Sequence, residues 1–156
     1  TAGLPVHAAW VLALAACAAP PAAAQTDDCA SEESARAVND QAIQDMSNLI
    51  AEVRAFDDNL EAALDAKAKE AGWSEVQVAA FRRQLVEDAR FQVLKSQRDK
   101  ENSSLVLSSL GLAVSLGKDP VTVCRSSTAV RANIKRLRAV LDREYAFIRE
   151  RIWGSP

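Results

Sequence analysis

The stretch Val121–Trp153, VTVCRSSTAVRANIKRLRAVLDREYAFIRERIW, decides how the rest of the chain is read. Val123, Val130, Ile134, Leu137, Leu141, Tyr145, Ile148 and Ile152 recur at steps of three, four or seven residues. That spacing lines one face of a long helix with apolar side chains. Cys124 stands just inside its start. The partner expected for it is Cys29, just ahead of the first long helical stretch.

Working outward, the chain divides into two further long helical segments. The first is expected from Ser31 to Ala71, with Ser31 as cap and Glu32, Glu33 and Ser34 in the first turn, where the helix dipole favours negative charge. Met46, Leu49, Val53, Phe56, Leu60 and Ala63 form its seam, spaced as in coiled coils. Gly72 stops it, and Trp73 opens the turn.

Ser74 with Gln77 makes a capping box for the second helix, whose apolar stripe is Val78, Phe81, Leu85, Ala89 and Val93. Lys95–Ser104 is then almost wholly polar, and Leu105–Leu116 almost wholly apolar apart from serines and Gly111. Two readings compete. One continuous helix from Ser74 to Leu116 would match the first in length, some 60–65 Å at about 1.5 Å per residue. The other places a break at Asn102–Ser104 and makes Leu105–Leu116 a short, deeply buried helix. Core is the plain reading of that apolar run, and a partner-facing groove the sharper one. Gly117-Lys118-Asp119-Pro120 then stops one helix and restarts the next.

The expected fold is therefore all-α: an antiparallel up-down-up bundle of three long helices. In that topology the first and third helices start at the same end, which is what a Cys29–Cys124 disulfide needs, since its Cα atoms must come within about 7 Å. The bond closes most of the domain into one loop, so chain-entropy reasoning assigns it roughly 4–5 kcal/mol.

Residues 1–25 follow different rules, and the helical domain is expected to span 26–156. Ala8–Ala16 is a short apolar run, and Ala22 and Ala24 before Gln25 fit a signal-peptidase site. Neither an initiator Met nor a basic leader start is present, so the sequence is expected to lack its first few residues. Leu14-Ala15-Ala16-Cys17 also matches the pattern in which a bacterial lipoprotein is acylated on its cysteine. Ala18–Thr26, rich in Ala and Pro, would then be a tether. Both readings lead to export, to the periplasm or to a lipid-anchored place on the envelope. Both leave two cysteines in the folded part, in a compartment that permits their pairing.

Catalytic groups are sparse. His7, in the leader, is the only histidine, so the mature domain holds no Ser-His-Asp or Cys-His system, no His-rich zinc site and no haem or di-iron motif. Gly72, Gly111, Gly117 and Gly154 form no phosphate loop. No cofactor or metal is expected. Asp57-Asp58 and Glu87-Asp88 fall on helices as solvated faces. A carboxylate-dependent enzyme acting on cell-wall glycans ranks third, behind a protein-binding module and an apolar-ligand binder with its site near Leu105–Leu116. The net charge of −2 and the lack of basic stretches interleaved with aromatics exclude nucleic acid as the expected partner.

Charge is segregated. Asp27–Gly72 carries a net −8, and Val121–Trp153 a net +5. The plain explanation is that these helices lie side by side. The sharper one is a basic face for a partner, an anionic lipid surface or a cell-wall polymer, with Arg131, Lys135, Arg138 and Arg149 as candidates for contact with an envelope protein. Surplus apolar edges on the long helices also leave room for a homo-oligomer.

Overall fold

The computed structural model describes residues 29–154. The expected leader in residues 1–25, its expected cleavage site and Cys17 lie outside the described residues. Four helices follow one another: α1 (Glu32–Ala71), α2 (Glu75–Glu87), α3 (Ala89–Ser115) and α4 (Pro120–Trp153). No strand occurs among the described residues.

Each helix starts where a short polar side chain supplies a cap. Ser31 Oγ accepts the Ser34 N–H at 3.1 Å, and Ser34 Oγ accepts the Ser31 N–H at 3.2 Å, so two orphan donors are satisfied reciprocally. Ser74 and Gln77 repeat the arrangement at α2. Asp119 accepts the Thr122 N–H at 3.0 Å, and Pro120 holds the first position of α4, where a missing N–H costs nothing. Gly72 ends α1 at φ +65°, and the Trp73 N–H reaches back to the Ala68 carbonyl at 2.8 Å. Glycine adopts that conformation without steric penalty.

The expected second helix is divided, but not where the polar run suggested. The break is at Asp88, and the helix runs unbroken through Asn102–Ser104. Asp88 takes an extended conformation, and its Oδ1 accepts the N–H groups of Arg90 and Phe91 at 2.8 and 3.2 Å. An aspartate able to cap is worth more at a helix start than on a solvated face. Ser103 and Ser104 instead donate to the carbonyls of Asp99 and Lys100, bonds compatible with the helix. The non-helical residue also resets the phase. Phe91 and Leu94 become buried, whereas Val93, assigned to the inward stripe, stands 56% exposed.

The chain runs up through α1, down through α2 and α3, and up through α4. Helix α4 is central, flanked by α1 and α3, which touch each other little. It is buried on two faces for that reason. One is the expected stripe of Val130, Ile134, Leu137, Ile148 and Ile152. The other, turned to α3, comprises Asn133, Val140, Glu144 and Phe147. The Cys29–Cys124 disulfide joins the starts of α1 and α4, with Cα atoms 5.7 Å apart. Beside it the core is built of Ala35 and Val38. At the far end it widens to Leu64, Phe91, Phe147 and Ile148, with Phe56, Trp73 and Phe81 packed around them.

Candidate docking surface

The apolar run Leu105–Leu116 occupies the last three turns of α3. Of its residues Leu105 and Ser115 are buried, and Leu112 packs on the central cluster of Leu49, Val130, Ile134 and Leu137. The expected deep burial of the whole run does not occur. Val106, Leu107, Leu110, Leu116 and Val114 lie between 52% and 70% exposed. A helix turns its residues through a full circle, and α4 covers only one side of α3. A stretch apolar all round must then present the rest to solvent.

Beside this ridge, α1 and α3 leave a groove above α4. Near the disulfide end it opens into a cavity of about 240 Å³ lined by Ala42, Ile43, Met46, Ser109, Leu112 and Val130. Ile43 and Ile50 on its α1 edge are also exposed. Farther along, a cavity of about 310 Å³ is bounded by Val53, Phe56, Leu137 and Leu141, with Asp57, Arg98, Asp99 and Asn102 at its polar side.

The four basic candidates on α4 do different things. Arg131 donates to Asp45 at 2.9 Å, and Arg138 forks onto both oxygens of Glu52 at 2.7 and 2.9 Å. Both pairs fasten α4 to the acidic α1, as the side-by-side explanation of the charge segregation expects. Burial pushes the Asp45 carboxyl upward, but hydrogen bonds from Arg131 and Gln41 outweigh it and hold the group below the usual range. The Arg149 guanidinium lies 5.5 Å from the centre of the Tyr145 ring. Lys135 is exposed on the outer side of α4.

Between α3 and α4 lies a buried carboxylate that the sequence reading missed. Glu144 Oε1 accepts from Arg98 Nη1 at 2.5 Å, and Glu144 Oε2 has no hydrogen-bond partner. Burial raises its pKa above the ordinary carboxylate value, opposed by the Arg98 charge and reinforced by Asp99 and Asp57. Its position four residues after Val140 and three before Phe147 was the available signal, hidden because a glutamate does not read as core.

Among the described residues no group of three His, Cys, Asp or Glu side chains is placed to hold a metal ion. No helix there is long and apolar enough to cross a membrane. The class so defined is a disulfide-tied, all-helical protein with an exposed apolar ridge. No family model, curated protein or solved structure matches the chain.

Proposed function

We propose that this chain is an exported, non-enzymatic envelope protein that works by binding protein through its helical surface, as an adaptor, an inhibitor or immunity factor, or a chaperone-like module. The observation that carries the reading is the outer face of α3. Val106, Leu107, Leu110 and Val114, four large aliphatic residues more than half exposed on its last turns, form the kind of patch that marks interaction sites. Export rests on the leader pattern of residues 1–25, with Cys17 as the place of a lipid anchor if that cysteine is acylated. Lys135 and Arg149, both exposed on α4, are proposed as further contacts for the partner. Arg131 and Arg138 serve α1 first, so reversing their charge tests folding as well as binding.

The test is a photo-cross-linker at position 107 in the whole chain, used in the intact envelope and followed by mass spectrometry. The expected result is a stoichiometric adduct to protein. Recovery of the chain without any protein adduct would sink the reading. A second reading, a small apolar ligand held in the α1/α3 groove, is favoured by its cavity of about 310 Å³, at the lower end for such sites. It expects a rise in melting temperature with apolar ligands, and an unchanged melting temperature counts against it.

A further inference from the structure

We propose that the outer face of α3 packs antiparallel against the same face of a second copy of this chain, about a two-fold axis midway between Leu107 and Leu110. The inference rests on the reading of that face as protein-binding and names its occupant.

Three observations lead there. First, the exposed residues Val93, Ser96, Lys100, Ser103, Leu107, Leu110 and Val114 follow one another at alternating steps of three and four, the seam of a helix that packs on another helix. Second, an isologous interface sets each patch against itself, so a patch dominated by one sign of charge repels its own copy. No charged residue lies between Asn102 and Leu116. The outward sides of α1 and α4 fail this condition, since they carry exposed Glu33, Asp40, Asp58 and Asp65 in one case and Arg125, Lys135 and Arg143 in the other.

Third, the antiparallel register matches large side chains with small ones. Leu107 meets Leu110 of the copy, and Val114 meets Ser103. A parallel register would set Ser103 against itself and leave a void. The four aliphatic residues of this face, Val106, Leu107, Leu110 and Val114, present roughly 400 Å² of apolar surface, the size of patch that is often functional.

Sedimentation equilibrium on the whole chain, with Cys29–Cys124 intact, tests this. The native protein should sediment as a dimer. The double variant Leu107→Asp, Leu110→Asp should dissociate roughly a hundredfold or more readily, because the register opposes carboxylates. Both residues are exposed, so helical circular dichroism and melting of the separated monomer should be retained. For the register, Leu107→Cys protein mixed with Leu110→Cys protein should form mixed disulfides faster than either forms them alone. Faster bonding of each variant with itself overturns the antiparallel arrangement. A native protein monomeric at every accessible concentration overturns the dimer. If the position-107 cross-linker then captures a different protein, binding at this face stands and only the occupant is wrong; if it captures none, both fail.

Discussion

Glu144 shows how one residue couples packing to pH. A carboxylate among Val140, Phe147 and the α3 stripe has given up water for a single charged hydrogen bond, from Arg98. Its folded-state pKa is raised, so the stability it contributes is present below its unfolded-state pKa and is lost as pH rises through the folded-state value. Asp45 and Glu61, whose pKa values are lowered, change stability in the opposite sense. Their contributions are common to the native protein and a Glu144→Gln variant, and they cancel in the difference. The amide should therefore gain stability relative to the native carboxyl as pH rises from acid to neutral. Paired urea titrations across that range check it, and a difference that does not vary with pH would remove Glu144 as the titrating group.

At the scale of an element, the α2–α3 junction turns on Asp88. Its side chain caps α3 through two backbone N–H groups and also approaches Arg151 at 3.3 Å. An ion pair with one partner half exposed adds little, whereas loss of a cap costs about 1 kcal/mol. Asp88→Ala should therefore lower stability by about 1 kcal/mol, and Asp88→Asn, which keeps the acceptor, by much less. Denaturant midpoints measure both. Equal losses would assign the effect to the charge, not the cap. The cap residue was visible in the sequence, but its role was not. An aspartate inside a helical pattern reads equally well as a solvated face, and only the inward packing of Phe91 and Leu94 in place of Val93 favours the break.

For the whole molecule, the disulfide and the central helix bear most of the organisation. Cys29 and Cys124 are separated by 95 residues, so their bond restricts the unfolded chain over most of the described domain. Replacing both by Ser should cost roughly 4 kcal/mol while leaving helical content in place, because the helices carry their own caps and packed faces. Chemical denaturation of the oxidised protein and the double variant measures the loss. A change near zero would mean that the ends of α1 and α4 stay together in the unfolded chain without the bond.

The helical class, two of the four caps, the Gly72 stop and the Cys29–Cys124 pairing were legible in the sequence, because each depends on residues a turn apart or on the order of helices along the chain. The seam of α1 and the main stripe of α4 were legible for the same reason. Burial is different, since it depends on which neighbour arrives. With α4 at the centre, Asn133 and Glu144 became interior residues, and Arg131 and Arg138 were turned to α1. With α3 covered on one side only, a run that reads as core became an exposed ridge. Local periodicity determines that a helix has an apolar face; the number and placement of the helices around it determine whether that face meets protein or water.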